Sequence, residues 1–149
     1  MRALVQRVAS ASVRVDGQIV GAIGQGLLVY VGVGVDDRAE DVAYIVDKIV
    51  HLRIFTDDEG KMNREIAQAG GSVLLVSAFT LQADARKGRR PSFDGAARGE
   101  VAEGLYEQVV ASLRTNNVNV QTGRFGAYMQ VESVNDGPIC ILLDSRRMF

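Results

Sequence analysis

The sequence predicts an α+β fold: a single domain over residues 1–149, in which two main helices pack on a mixed, largely antiparallel and barrel-like sheet. Three observations predict it. A chain of 149 residues is long enough for one domain with its own core. Its periodicity changes in the order three strands, helix, strand, helix, three strands. The run Val73–Val76 is apolar without alternation, which is typical of a strand buried on both faces.

Residues 5–33 predict a three-stranded antiparallel meander. A weakly alternating strand over residues 4–15 is followed by Asp16-Gly17, a strong hairpin signal, and by a returning strand over residues 18–22. Glycines at positions 24 and 26 then interrupt the chain before the apolar run Leu27–Val33. We expect that run to be a second buried strand.

Residues 36–51 predict the first helix. Asp37 is placed to cap it, with Glu40 in the capping-box position. The apolar stripe at helical spacing comprises Val42, Ile45, Val46, Ile49 and Val50. Ile54-Phe55 predicts a short strand. The acidic segment 56–60 predicts a turn, because its glycine and carboxylates do not have the spacing of an EF-hand loop.

Small polar side chains follow the buried run Val73–Val76. Ser77, Phe79 and Thr80 are poor core material, but at the exit of a buried strand they are well placed to line a pocket. The structural alternative is that the hydroxyls bond the local backbone. This stretch alone leaves both interpretations open.

Residues 82–93 predict a long polar loop, and loops of this length in a small domain are usually functional or mobile. From Asp84 to Arg98, five basic and two acidic side chains give a local charge of +3. Such a cluster is either a solvated face or a phosphate-contacting patch.

Ser92 or Asp94 is placed to cap the second helix. Its apolar residues recur every four positions, at Ala97, Val101, Leu105, Val109 and Leu113.

The last third of the chain returns to strands, predicted over residues 118–120, 127–131 and 139–143. Asn135–Pro138 predicts the hairpin turn before the last of them. Pro138 is nevertheless a liability at the start of a central strand, because it has no N–H group. A Gly-Pro bond can be cis at modest cost, which would present its neighbouring backbone to a ligand.

Composition and motifs exclude several classes of chemistry. With His51 as the only histidine and Cys140 as the only cysteine, we expect no zinc site, no disulfide and no histidine-based triad. Neither a dinucleotide fingerprint nor a phosphate loop is present. We therefore expect no metal and no cofactor. An activated ester could still be broken by a site that positions water and offers backbone N–H groups to an oxyanion.

The expected location is the cytoplasm. No signal-peptide pattern is present, and a lone cysteine fits a reducing compartment. The longest apolar run, Gly26–Val35, is too short to span a bilayer, so we expect no membrane association.

Five segments together resemble the D-aminoacyl-tRNA deacylase family. They are MRALVQRV (1–8), SAFTL (77–81), KGRRPSF (87–93), TGRFGA (122–127) and NDGP (135–138). The resemblance runs in order from the first residue to about Leu143. It implies a homodimer that hydrolyses the ester between tRNA and a D-amino acid, or glycine on the wrong tRNA.

The resemblance also implies roles for residues of this chain. Ser77, Phe79 and Thr80 would form the catalytic part of the pocket. Gly137 and Pro138 would enter the partner subunit's site and exclude L-amino acids, with Arg7 holding that segment. The other expected contacts are Ala78, Phe125 and Met129 with the substrate, the last two near the terminal adenosine, and Arg86, Lys87, Arg89 and Arg90 with tRNA phosphates.

Two positions depart from the pattern of that family, which usually has Gln at Ala78 and Thr at Cys140. These departures keep open an alternative function, a non-catalytic nucleic-acid-binding dimer on the same scaffold. They also leave open how the ester would be attacked. The resemblance implies help from the substrate's own 2′-hydroxyl, and Thr80 as a nucleophile is the competing mechanism.

Overall fold

The structure, a computed structural model, describes residues 1–149 and confirms the α+β class. Six strands form one curled mixed sheet, and two short strands form a separate hairpin. The strands are β1 (Arg2–Val15), β2 (Gln18–Ile23), β3 (Gly26–Gly32), β4 (Phe55–Thr56), β5 (Met62–Arg64), β6 (Ser72–Ser77), β7 (Asn119–Thr122) and β8 (Gln130–Asp144). The helices are α1 (Ala39–His51) and α2 (Gly99–Thr115), with a 3-10 helix at Phe79–Gln82.

The predicted three-stranded meander is wrong, because β2 and β3 both pair antiparallel with β1. The pairing runs from Val15 opposite Gln18 to Arg2 opposite Gly32. β1, β2 and β3 therefore form one long hairpin whose returning strand is interrupted. A meander needs a complete reversal between its second and third strands, whereas the chain only bends at Gly24-Gln25.

The predicted hairpin turn at Asn135–Pro138 is also wrong. Both sides of this segment belong to β8, which runs antiparallel to β1 from Arg2 opposite Asp144 to Arg14 opposite Gln130. The register shifts near Arg7, so the extra residues form a bulge in one strand. The predicted strand over 127–131 begins only at Gln130, and the residues before it form a loop.

The centre of the sheet is parallel. β6 lies between β3 and β7 and runs parallel to both. The sheet curls until β2 meets β7, where a Cβ atom on Gly21 would overlap the Thr122 carbonyl oxygen. This near-closure confirms the barrel-like prediction. A smaller core that includes Leu28 and Leu74 fills the curl, and a larger core separates the sheet from both helices.

α1 has the predicted apolar stripe, and all five of its residues are buried. Its predicted cap is wrong, since the N-cap is Arg38, whose backbone N–H donates to Asp41 (2.8 Å). The Asp37 carboxylate is instead buried beneath the start of the helix. It accepts hydrogen bonds from the Met1 ammonium group (2.6 Å) and from the Gly34 N–H (2.5 Å). A carboxylate engaged in this way is unavailable to cap the helix.

α2 begins at Gly99 with Arg98 as its N-cap, so neither Ser92 nor Asp94 caps it. The predicted stripe is correct only in its second half. Val101 is exposed, because residues spaced by four drift around a helix of 3.6 residues per turn. The residues that α2 buries are Ala102, Tyr106, Val109, Val110 and Leu113.

The acidic segment after β4 is a turn, as predicted. The Asp57 carboxylate accepts backbone hydrogen bonds from Lys61 and Glu59, both at 2.9 Å. These bonds lower the pKa of Asp57, the bond from Lys61 most strongly. The turn joins β4 to β5 in a small hairpin.

Neither helix of the protein is long and apolar enough to cross a membrane.

Candidate active site

An open cavity of about 680 Å³ lies where β3 and β6 end. Because these two strands are parallel, their carboxyl ends open on the same side of the sheet. The start of α2 and the loop between β7 and β8 form the other walls. Most of the lining is apolar, and Arg98 is its only charged residue. No carboxylate and no histidine reaches the cavity.

Four residues that the sequence predicted for the site, Ser77 to Thr80, lie together on one wall of the cavity. β6 ends at Ser77, and the Ala78 N–H extends the pairing by donating to the Val31 carbonyl (2.8 Å). The chain then turns into the 3-10 helix. This turn passes over Gly32, where a Cβ atom would lie 2.8 Å from the Ala78 carbonyl oxygen. Only glycine at this position allows so close an approach.

Phe79 and Thr80 are exposed at the rim of the cavity. The Phe79 ring packs edge-on against Phe93, with 5.1 Å between the ring centroids. The hydroxyls of Ser77 and Thr80 have no hydrogen-bond partner in the protein, and neither has a neighbouring base. They are therefore available to a ligand, which argues against the interpretation that they only bond local backbone.

Phe125 and Met129 approach the same cavity from the loop after β7. The Phe125 ring lies 5.6 Å from the ring of Tyr106, which stands on α2. The Met129 sulfur passes close to Gly123, where a Cβ atom would come within 2.6 Å of it. Local glycines thus let this loop fold back over the sheet and bring both predicted residues to the wall opposite β6.

Three phenols line the cavity, those of Tyr30, Tyr106 and Tyr128, and the first two are affected by burial. The Tyr106 hydroxyl donates to the Leu75 carbonyl (2.9 Å), and burial raises the pKa of this phenol well above its ordinary value. Burial also raises the pKa of Tyr30, on β3. Both phenols are neutral near pH 7, as a phenol is even at its ordinary pKa. The site therefore contains uncharged hydroxyls and apolar surface, and Arg98 is its one fixed charge.

The Gly137–Pro138 segment lies elsewhere on the chain, in the bulge of β8, and its peptide bond is cis. Both residues are exposed, and neither lines the cavity of its own chain. Arg7 holds the bulge: its guanidinium donates to the carbonyls of Ile54 (2.8 Å) and Asp136 (3.1 Å). The same group lies 3.2 Å from the Asp136 carboxylate. Within one chain, the Gly137–Pro138 segment therefore does not reach the cavity that Ser77–Thr80 line.

The basic loop is pinned at its base by paired backbone hydrogen bonds between Asp84 and Ser92 (2.8 and 2.9 Å). Arg86 binds the Asp84 carboxylate with two nitrogens, at 2.6 and 2.9 Å, and these bonds hold the pKa of Asp84 well below its usual range. The charge of Arg86 is therefore already balanced. The other three predicted phosphate contacts, Lys87, Arg89 and Arg90, are exposed and form no ion pair.

Sequence reasoning missed several residues of the cavity. Arg98 was counted in the basic cluster but not placed in the site. A tyrosine in an otherwise aliphatic strand was a signal for Tyr30, and nothing local marked Tyr106 or Tyr128 as cavity residues. His51, which we did not expect to be functional, lies outside the cavity, with its Nδ1 atom 3.2 Å from Glu65.

This fold and site define a small barrel-like α+β protein with a mostly apolar ligand cavity at the ends of its parallel strands. The profile of the family described as "D-Tyr-tRNA(Tyr) deacylase" matches residues 4–144. The chain belongs to this family. It is 58% identical to a D-aminoacyl-tRNA deacylase of Anaeromyxobacter dehalogenans (strain 2CP-C), over 149 residues and the full length of both chains. It is 52% identical, again over both full lengths, to one of Thermosipho africanus (strain TCF52B).

Two solved structures share the fold. One is described as "c-Myc DNA Unwinding Element Binding Protein" and has a TM-score of 0.91 and 40% identity, covering 97% of this chain and 98% of that one. The other is described as "Structural Analysis of a probable eukaryotic D-amino acid tRNA deacylase". It has a TM-score of 0.80 and 18% identity, covering 95% and 97% of the two chains, and supports the fold alone.

Proposed function

We propose that this protein hydrolyses the ester that joins a D-amino acid to the 3′ end of tRNA, and that it also removes glycine from the wrong tRNA. The single observation that carries the proposal is the cavity: it brings Ser77–Thr80 and the Phe125–Met129 loop together in a chain of the deacylase family. An aminoacyl-tRNA is the substrate class of the full-length relatives, and it would place the protein in the cytoplasm.

The composition of the cavity suits an ester that is already labile. With no histidine or carboxylate in the lining, the protein's contribution is to position the ester and to hydrogen-bond the developing oxyanion. The substrate's own 2′-hydroxyl would assist the attack. Thr80 has no base beside it, and an unactivated hydroxyl is a weak nucleophile.

The Thr80→Val variant separates the two mechanisms. If the 2′-hydroxyl assists, the variant retains turnover within about tenfold of the wild type, the effect of removing one hydrogen bond. Near-complete loss, together with an acyl group trapped on Thr80 in the wild-type protein, would establish Thr80 as the nucleophile instead.

Rejection of L-amino acids would require a second copy of the chain. Gly137 and Pro138 are exposed and do not line the cavity of their own chain, so they could crowd a substrate only in the site of a partner subunit. β8 supports such a homodimer. It is a 15-residue strand that pairs only with β1, and it exposes Val134 and Leu142 on either side of the bulge. A long unpaired edge with apolar side chains favours association.

Lys87, Arg89 and Arg90 would contact tRNA phosphates, with a smaller contribution from Arg86. Replacing the first three by Gln should weaken binding of all tRNAs and reduce the slope of log K against log salt by about 0.7–0.9 for each phosphate that is no longer neutralised. Lys61→Gln, in the exposed β4–β5 turn, is the matched control. An unchanged slope in the triple variant would assign the cluster to a solvated face.

The second candidate function is a nucleic-acid-binding dimer without catalysis. It is favoured by the description of the similar structure as a DNA-unwinding-element binding protein. The deciding experiment measures release of amino acid from D-tyrosyl-, L-tyrosyl- and glycyl-tRNA by metal-free protein. Rapid loss of the D and glycyl esters with the L ester spared supports the deacylase. Binding of tRNA without acceleration of any ester supports the second candidate.

A further inference from the structure

Tyr30 has an unusual position in the cavity. It lies on β3 directly opposite Val76 of β6, with its ring among the apolar residues that fill the curl of the sheet. Side chains alternate between the faces of a strand, so Ala78 follows Val76 on the same face as Tyr30. Ala78 carries no polar group. Of the cavity residues that this face of β3 and β6 contributes (Tyr30, Val76 and Ala78), Tyr30 is the one that carries a polar group.

The Tyr30 hydroxyl is free for a ligand. It has no hydrogen-bond partner in the protein, and no buried side-chain oxygen or nitrogen atom of the protein lacks a partner. It follows that this hydroxyl is not sealed in the core, and the residue lines the cavity. Tyr106 is the useful contrast, because its hydroxyl is already bonded to the Leu75 carbonyl.

The neighbours of Tyr30 indicate what would bind beside it. Met129 and Val131 pack against the same small core as Tyr30, whereas Phe125 lines the cavity from the larger core. The thioether and the aliphatic group beside Tyr30, with an aromatic ring in the same cavity, form the kind of surface on which a flat heteroaromatic base stacks. A neutral phenol both donates and accepts a hydrogen bond, and the edge of adenine offers an amino donor beside a ring-nitrogen acceptor.

We propose that Tyr30 is a specificity-determining residue, whose hydroxyl hydrogen-bonds the base edge of the terminal adenosine of tRNA. This inference rests on the proposed function, since it needs a tRNA 3′ end in the cavity. It extends that function by assigning recognition of the base to a residue of β3. A phenol is neutral near pH 7 even at its ordinary pKa, and burial raises the pKa of Tyr30 further, so the hydroxyl can both donate and accept over the working range.

The test uses two non-hydrolysable ligands: 3′-amino-3′-deoxyadenosine that carries D-tyrosine through an amide, and the same compound with purine in place of adenine. Dissociation constants are measured by calorimetry for the wild type, for Tyr30→Phe and for the control Tyr44→Phe. Tyr44 lies on α1, outside the cavity. Thermal midpoints of all three proteins should agree, because neither substitution removes a bond within the protein.

We expect Tyr30→Phe to weaken the adenine ligand about fivefold to tenfold, the effect of removing one hydrogen bond. Loss of the 6-amino group should weaken binding to the wild type by a similar factor but have little further effect in Tyr30→Phe. With D-tyrosyl-tRNA, Tyr30→Phe should raise KM and leave kcat unchanged. Tyr44→Phe should match the wild type throughout.

Equal affinity of Tyr30→Phe and the wild type for the adenine ligand would overturn the inference. So would an equal loss for both ligands, or failure of the wild type to bind either. These outcomes are distinct from failure of the proposed function, which is seen as absence of D-tyrosyl-tRNA hydrolysis by the wild type. Hydrolysis by the wild type with no effect of Tyr30→Phe would remove the inference alone.

Discussion

Arg7 provides the sharpest test of how the β8 bulge is held in place. Its guanidinium connects β1 to two other parts of the chain, through the carbonyls of Ile54 and Asp136. The substitution Arg7→Met retains an apolar stem of similar length and removes the charge and every donor. The bulge that carries Gly137 and Pro138 would then be attached to the sheet only at its two ends.

The structure sets the size of the effect. A hydrogen bond from a charged donor contributes about 1.5–3 kcal/mol, and the bond to Ile54 is partly buried. The contacts with Asp136 are exposed, with that carboxylate 54% accessible, so they add less than about 1 kcal/mol. The free energy of unfolding should therefore fall by about 2–3 kcal/mol. For a chain of this size, that lowers Tm by roughly 5–10 °C.

The informative readout is selectivity. If Arg7 positions the bulge, Arg7→Met should reduce hydrolysis of D-tyrosyl-tRNA at least about tenfold, since a displacement near 1 Å can cost far more in a positioned site. It should also lower the ratio of the hydrolysis rate of D-tyrosyl-tRNA to that of L-tyrosyl-tRNA, with both rates measured about 15 °C below the Tm of the variant. Arg7→Lys keeps the charge but cannot make the same fork of hydrogen bonds. Its rate of D-tyrosyl-tRNA hydrolysis and its D to L ratio should lie between those of the wild type and those of Arg7→Met. A lower Tm with an unchanged D to L ratio would refute the reasoning.

Three further predictions follow from other contacts. Gly137→Ala should impair D-ester hydrolysis at least about tenfold, because its φ is +146° and an added Cβ would lie 2.7 Å from the Ile139 nitrogen; wild-type kinetics would count against a role for this backbone. Asp37→Asn should lower the free energy of unfolding in urea by about 3–5 kcal/mol, because the buried Met1 ammonium loses its nearest carboxylate and keeps only the more distant Asp41, at 3.9 Å, as a charged partner. An exposed control, Asp58→Asn, should change it by less than about 1 kcal/mol, and similar losses in the two variants would contradict the argument. Burial raises the pKa of Tyr106, so its contribution to stability is constant below the unfolded pKa near 10 and is lost as pH rises toward the folded pKa. Tyr106→Phe should show a smaller alkaline loss, whereas identical alkaline slopes would exclude Tyr106 as its source.

The sequence was sufficient for the elements whose burial is set by local pattern. The stripe of α1 repeats at helical spacing and the run of β6 is apolar without alternation, and both are buried as predicted. It was insufficient wherever chain direction depends on distant partners. Gly24-Gln25 and Asn135–Pro138 are both turn-like segments, yet both continue a strand, because β1 is long enough to hold each strand in register beyond the interruption.

The sequence by itself determined the α+β class and the end of the buried strand at Ser77. These depend on periodicity and residue type, which are local properties. Only the tertiary structure decided that Phe125 and Met129 face that strand end, that Asp84 already neutralises Arg86, and that Tyr30 enters the cavity. The cavity contacts join residues far apart in the chain, because the curl of the sheet and the parallel pairing of β3 with β6 bring them together. Asp84 and Arg86 are only two residues apart, but the sequence does not indicate which basic side chain of the loop folds back onto that carboxylate.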